Sequence, residues 1–258
     1  MIDKLAYVHP DAKIGNNVKI MPFAFVGEDT EIGDDCIIMP YSAVLPGTTL
    51  GKGNRIHGHT LLGVDPQDFN YKGAKSRLII GDGNDIRENV VIARGLDEKT
   101  ATKIGNANHI MEKVHICHDA DIHNRTVLGI SAIIAANTLI ESEAILTNQV
   151  VIMNDCRIGR RSLILSGCRV QKDVPPYIVT NENPVEYHGV NTVILRHFNT
   201  SDRILRHIAN AYRIIFHGDT SLQEAIMKVE EQIPPSEEIN NIVKFIKGSK
   251  LGIIQCKY

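Results

Sequence analysis

Aliphatic residues recur every six positions through most of the first 170 residues. The register opens with Ile2, Val8, Ile14, Ile20, Val26, Ile32, Ile38, Val44, Leu50, Ile56 and Leu62. It lapses at Asp68 and Ala74, returns at Ile80, Ile86 and Ile92, and lapses again at Glu98. From Ile104 it runs unbroken to Val170. A helix needs apolar residues every 3.6 positions and a half-buried strand every 2. A strict six fits neither, but it is a multiple of two, so each unit can hold a short strand and then turn. The fourth residue after each aliphatic is usually small, as at Ala12, Ala24, Thr30, Cys36, Ser42, Thr48, Ala120 and Thr126. That suits a tight corner. The residues between are polar or glycine, as at Gly33-Asp34-Asp35 and Gly51-Lys52-Gly53, and read as turns.

Three units make a triangular coil, and coils stack as parallel strands, the arrangement of hexapeptide β-helix solenoids. About nine coils fit between Ile2 and Val170, a prism on the order of 40 Å long at ordinary strand spacing. The pattern predicts an all-β parallel β-helix over residues 1–178. Periodicity alone leaves its hand open. The two lapses predict excursion loops at 64–75 and 94–102, and long loops on a rigid scaffold are often functional. Pro175-Pro176 cannot donate to a ladder and is expected to end the solenoid. Residues 179–199 read as a connector.

The period then changes. Ile204, Leu205, Ile208, Ala211, Tyr212 and Ile215 have helical spacing, with Thr200 or Ser201 as N-cap and Gly218 as a stop. A second helix runs from Ser221 to about Gln232, and a third from Pro235-Ser236 to about Gly248. Together they predict a small C-terminal α-helical domain over 200–258, placed to cap the solenoid or to meet a neighbouring subunit.

A net charge of −2 argues against general nucleic-acid binding. Five cysteines at irregular spacing form neither a disulfide framework nor a metal knuckle, which favours a reducing compartment. Met1-Ile2-Asp3-Lys4 enters the repeat at once with no signal pattern, and no apolar run approaches membrane length. A cytoplasmic protein without a membrane span is expected.

One unit, Ile116-Cys117-His118-Asp119-Ala120-Asp121, carries a His-Asp pair at its middle. His118 lies two places after an inward aliphatic, so its side chain should stand outside the prism wall. A carboxylate beside an imidazole makes a general base; the pair alone reads equally as a solvated surface histidine. His115 lies three residues earlier. His9, His57, His59 and His109 read as turn or surface residues. His118 and His123 have a spacing that suits a zinc pair, but no histidine two coils earlier completes a three-His site, so no metal and no cofactor is expected. Cys36, Cys156 and Cys168 occupy the small corner position, and Cys117 has no base of its own. Arg157, Arg160 and Arg161, with Arg169 and Lys172, form a basic patch that reads as an ordinary charged face or as a dock for an acidic carrier protein.

The chain resembles the UDP-N-acetylglucosamine 3-O-acyltransferases that begin lipid A synthesis, over nearly its whole length. The resemblance lies in Met1-Ile2-Asp3-Lys4 through His9-Pro10, in Pro66-Gln67-Asp68 with Tyr71, in Ile86-Arg87-Glu88-Asn89-Val90, and in Arg94-Gly95. It continues in Val114-His115-Ile116-Cys117-His118-Asp119, Asp173-Val174-Pro175-Pro176-Tyr177, Gly189-Val190-Asn191 and Asn210-Ala211-Tyr212-Arg213-Ile214-Ile215. The tail Pro235-Ser236-Glu237-Glu238-Ile239 resembles members from Bacteroidetes-like bacteria. The resemblance implies a left-handed β-helix with a C-terminal helical domain, a homotrimer, and active sites in clefts between neighbouring prisms. It implies transfer of a 3-hydroxyacyl chain from acyl carrier protein to a UDP-sugar, without a metal. By it His118 is the base, Asp119 its orienting partner and the Ala136 N–H an oxyanion contact. Gln67, Asp68, His115 and Asn191 contact the sugar nucleotide, and Ser166 lies near the end of the acyl chain. The sequence departs from the family pattern at Asn70, Ala93, Asn137, Met153-Asn154 and Arg196-His197-Phe198-Asn199. Those departures leave a second reading open, a divergent homologue with altered specificity or with binding alone.

Overall fold

The structure, a computed structural model, describes residues 1–256. Each six-residue unit contributes a short strand. Tyr7–Val8, Lys13–Ile14 and Lys19–Ile20 make one turn of the coil. Each strand then pairs in parallel with the strand of the next coil, as Tyr7 with Phe25 and Val8 with Val26. Among the described residues three sheets result. The first face has nine strands, Tyr7–Val8 to Arg169–Val170. The second has eight, Lys13–Ile14 to Arg157–Ile158. The third has ten and begins at Lys19–Ile20.

The register aliphatics point inward and are buried, among them Ile20, Ile38, Ile56, Ile116 and Ile134. Each such side chain contributes about 1.5–3 kcal/mol when removed from water. Stacked rung on rung, they fill the prism with an aromatic content of only 5%. The small residues (Ala24, Cys36, Ser42, Thr60, Ala120) are buried too, where two walls converge and a larger side chain has no room. Polar residues there pair along the axis. The Asn54 Oδ1 accepts from the Asn84 N–H at 2.9 Å, the Asn84 Oδ1 from the Asn108 N–H at 2.9 Å, and the Asn108 Oδ1 from the Thr126 N–H at 2.8 Å.

One residue per unit turns the corner with positive φ: Asn17, Phe23, Asp29, Asp35 and Tyr41 in the early coils, Lys113, Asp119 and Arg125 later. The corner N–H donates to the coil before it, as Asp35 to Asn16 O at 2.9 Å and Arg125 to Asn106 O at 2.9 Å. Closure of the coil imposes the left-handed conformation whether or not the side chain favours it.

The proline pair does not end the ladder. Val174 still bridges Ile158, and Val179-Thr180 pair with Leu163-Ile164. Pro175 and Pro176 fall at the corner between these rungs, where no ladder N–H is required of them. The strand Ile178–Asn181 then turns back on Glu186–Val190. The stretch expected as a connector is therefore a hairpin followed by a short helix, α1 (Thr192–His197). Helices α2 (Asp202–His217), α3 (Leu222–Gln232) and α4 (Glu237–Lys247) follow, capped by Ser201, Ser221 and Ser236. Tyr212 of α2 is buried and donates to Pro176 O, and Ile253 bridges back to Asp173, so the helices seal the end of the prism.

Candidate active site

His115 points outward from the first-face strand His115–Ile116. Cys117, His118 and Asp119 then turn the edge toward the second face, with Asp119 at the corner position (φ 59°). The Asp119 N–H donates to Thr102 Oγ1 at 2.9 Å, which pins the corner to the coil before it. His118 stands outside the wall, as its place in the unit requires, yet it is only 6% exposed. The first excursion loop roofs it. Under that roof lies a cavity of about 120 Å³, lined by Asp65, Gln67, Asp68, Ala93, His115, Cys117, His118, Ala136 and Asn154.

The imidazole sits between two carboxylates. Its Nδ1 is 2.8 Å from Asp119 Oδ2, and its Nε2 is 3.5 Å from Asp68 Oδ2. Asp119 is held in turn by the Leu96 N–H, at 3.3 and 3.2 Å from its two oxygens. The second excursion loop thus braces the carboxylate that orients the ring. With Nδ1–H donating to Asp119, Nε2 carries the lone pair. The Asn70 N–H, 2.7 Å from Asp68 Oδ1, is the main cause that holds the Asp68 carboxyl below the usual range. Burial alone pushes the His115 pKa down, which favours the neutral ring, and pushes the Cys117 thiol up, so Cys117 stays protonated. The Ala136 carbonyl accepts from the Asp155 N–H at 3.1 Å, and its peptide borders the cavity.

Of the residues singled out from sequence, His118, Asp119, Gln67, Asp68, His115 and Ala136 come together here. Others do not. Asn191 is 3% exposed and caps α1: its Oδ1 accepts from the Ile194 N–H at 3.4 Å and its Nδ2 donates to Arg161 O at 3.0 Å. Both its polar atoms are spent inside the chain, and it lies off the His118 cavity. The three arginines expected to meet a carrier protein are also engaged internally. Arg160 and Arg161 pair with buried Glu143 at 3.3 and 2.6 Å, Arg161 stacks on Phe198, and Arg157 stacks on Phe245 of α4. These contacts fix the side chains against the prism and the helices, with Arg160 also 3.0 Å from Glu237. Ser166 lies at the far edge of the first face, three rungs beyond the His115 strand, with its hydroxyl on Thr147 Oγ1 at 3.0 Å.

The histidines outside the site also differ from expectation at one point. His57 is a buried residue, with Nε2 2.8 Å from Asp85 and Nδ1 3.3 Å from Glu88, and His109 joins Asp85 at 3.4 Å. The partners come from the next coils, 28 or more residues on for His57, which sequence spacing does not reveal. His123 stands near Asp121 and away from the cavity. Among the described residues no group of three His, Cys, Asp or Glu could hold a metal ion. Arg94, Leu96, Thr102 and Asn154 touch the site or its supports without a role foreseen for them; the signals were the lapse in register at 94–102, the Arg94-Gly95 match and the departure at Met153-Asn154.

A three-faced coil of hexapeptide units with a roofed His–Asp pair defines a transferase of the left-handed β-helix class. Residues 29–63 match the bacterial transferase hexapeptide family, and residues 173–254 match the second domain of UDP-N-acetylglucosamine O-acyltransferase. The chain belongs to the acyl-(acyl-carrier-protein)-UDP-N-acetylglucosamine O-acyltransferase family. It is 41% identical to the member from Halorhodospira halophila over 251 residues, 97% of each chain. Among solved structures, LpxA from Bacteroides fragilis is 44% identical with a TM-score of 0.97, covering 99% of this chain and 100% of that one. The Francisella novicida UDP-N-acetylglucosamine acyltransferase is 31% identical with a TM-score of 0.94, covering 99% of this chain and 94% of that one.

Proposed function

We propose that this protein moves an acyl chain from acyl carrier protein to the 3-hydroxyl of UDP-N-acetylglucosamine, the opening step of lipid A synthesis, with His118 as general base. The observation that carries this reading is the imidazole fixed by Asp119 on one nitrogen and turned by the other into a cavity roofed by Gln67 and Asp68. His118 Nε2 takes the proton of the sugar hydroxyl as its oxygen attacks the thioester carbonyl. The Ala136 N–H is the group offered to the oxyanion. Collapse breaks the C–S bond, and the imidazolium gives its proton to the departing carrier thiolate, which leaves as the thiol, so the base is regenerated. His115, uncharged, and Gln67 are placed to contact the sugar.

The cavity of about 120 Å³ is too small for a nucleotide sugar, since ligand sites run to roughly 300–1,000 Å³. A second wall is needed, and a neighbouring copy supplies it in our reading. Phe69 at the loop tip is fully exposed, and apolar Tyr7, Phe25, Leu61 and Ile133 face outward on the first face. Those residues suit a homotrimer with clefts between prisms. The acyl chain would run from His118 along Ile133 and Val151 toward Ser166, about 14 Å away along the axis. Among the described residues no helix is long and apolar enough to cross a membrane.

The test is an acylation assay with acyl carrier protein thioester and UDP-N-acetylglucosamine. His118→Ala should lower kcat by about 10²–10⁴-fold with the fold intact. Full turnover by that variant would remove the mechanism. Binding of the sugar nucleotide without turnover by the wild type, across donors of several lengths, would favour the binding-only homologue.

A further inference from the structure

Three consecutive N–H groups, those of Arg94, Gly95 and Leu96, go to three separate pieces of chain. Arg94 N–H donates to Val64 O at 3.0 Å, where the first excursion loop leaves the wall. Gly95 N–H donates to Arg77 O at 3.0 Å, where the loop returns. Leu96 N–H donates to Asp119. No side chain fits at Gly95, where a Cβ would stand 2.6 Å from Thr100 O.

The Arg94 side chain grips the middle of the same loop. Nη2 is 2.6 Å from Asp65 Oδ1 and 2.6 Å from the Tyr71 hydroxyl, and Nη1 donates to Pro46 O at 3.1 Å. The Tyr71 hydroxyl also reaches Ala74 O at 3.3 Å. The guanidinium is largely buried, and its Nε–H has no partner. Its hydrogen bonds go to Asp65, Tyr71 and Pro46 and not to His118. What it holds is the segment that carries Gln67 and Asp68.

We propose that Arg94 is a positioning residue for the acceptor: it clamps the 64–75 loop so that Gln67 and Asp68 stand over His118. This rests on the acyltransferase reading above. The clamp acts on the roof and leaves the base alone, because Asp119 is held by the Leu96 backbone and not by Arg94. Its loss therefore weakens acceptor binding, while the Asp119 side of the ring stays braced by Leu96. A lysine reaches one of the three oxygens, so it restores part of the clamp only.

Full-length wild type, Arg94→Ala, Arg94→Lys and Tyr71→Phe are compared in two measurements. Hydrogen exchange of residues 65–75 should accelerate at least tenfold in Arg94→Ala, with exchange of the wall unchanged. Steady-state rates should show the KM for UDP-N-acetylglucosamine raised at least tenfold, with the KM for the acyl donor and kcat each within about twofold of wild type. Arg94→Lys and Tyr71→Phe should fall between wild type and Arg94→Ala. Adding Tyr71→Phe to Arg94→Ala should cost less than Tyr71→Phe does alone, since the bond to Arg94 is already lost and only those to Asp65 and Ala74 remain. Unchanged exchange in Arg94→Ala, or a lowered kcat with unchanged acceptor KM, would overturn the proposal. The exchange data need no turnover: a loosened loop in a protein whose wild type never acylates the sugar sinks the functional reading and spares the clamp. Should Arg94→Ala not fold, Tyr71→Phe loses one hydroxyl and keeps both measurements available.

Discussion

His115 and His118 lie on the same edge of the prism three residues apart, yet their surroundings set them different tasks. His118 has a carboxylate at each nitrogen. His115 is half-buried with burial as the only cause of its lowered pKa. A histidine whose folded value lies below its unfolded value of about 6.5 gives up stability on the acid side. The unfolded chain takes up the proton first as pH falls through that value, and the loss grows until the folded value is reached. His115→Gln should remove this component. Between pH 7 and pH 5.5 the wild type should lose more stability than the variant, by up to about 1.4 kcal/mol per pH unit crossed. Urea midpoints at the two pH values check this, and equal losses in both proteins would refute it. The His118–Asp119 pair was legible because the two residues are adjacent in sequence. The placing of Asn191 was not legible, for the opposite reason. Its partner Arg161 is 30 residues away, and nothing in Gly189-Val190-Asn191 announces a cap on a helix of six residues. The arginines at 157, 160 and 161 read as free charge because Glu143 and Phe245 reach them from other coils and from α4.

The repeating unit was the most legible element, since an inward aliphatic and a small corner residue are facts of residue type. The left-handed corner was not. Phe23, Lys113 and Gln149 hold positive φ with side chains that do not favour it, so the conformation is dictated by coil closure. That makes a pair of opposed predictions. Gln149 is exposed, has φ 58°, and is paired through its backbone N–H to Ile130 O at 2.8 Å. Glycine there sheds a left-handed cost of about 1–2 kcal/mol and incurs about 0.5–1 kcal/mol of chain entropy. Gln149→Gly should raise stability by up to about 1.5 kcal/mol. Gln149→Val, whose branched Cβ tolerates that conformation least, should lower it. Thermal midpoints moving in the same direction for both would show that the corner is not strained. The three long helices were legible from their starts: of Thr200 and Ser201 it is Ser201 that caps the first, and Ser221 and Ser236, where the other two were expected to open, are their caps. The hairpin after Pro175-Pro176 was not, because a proline pair stops a strand but not a corner.

Seen as a whole, the prism has unequal faces. The second face turns outward Lys13, Glu31, Thr49, Ile79, Lys103 and Asp121, mostly polar or charged. The first turns outward Tyr7, Phe25, Ala43, Leu61 and Val91 before reaching His115. The third ends in an apolar groove of about 560 Å³ formed by Ile145, Leu163 and Val179 beside Val193 and Ile194. An apolar row continuous with a cavity too small for its substrate is what one subunit of a shared site presents. A first face meeting a different face of the next copy is a heterologous contact, which closes into a ring or grows without end. In the trimer reading, Phe25 and Leu61, on either side of Ala43 and two or more rungs from His115, are covered by the neighbour. Phe25→Lys/Leu61→Lys would then bury two unpaired charges, at roughly 3–5 kcal/mol each. The expected result is a native protein sedimenting at three times 28.6 kDa and a variant at one times that mass. The variant should keep its β-sheet spectrum, because neither side chain enters the core, but lose acyl transfer, because its cavity has lost a wall. Ile79→Lys, on the second face and as exposed as Phe25, is the control and should remain trimeric and active. Dissociation by Ile79→Lys with no effect of the double variant would mean that the polar face joins the subunits. Full activity in a protein proved monomeric would mean that one prism is enough.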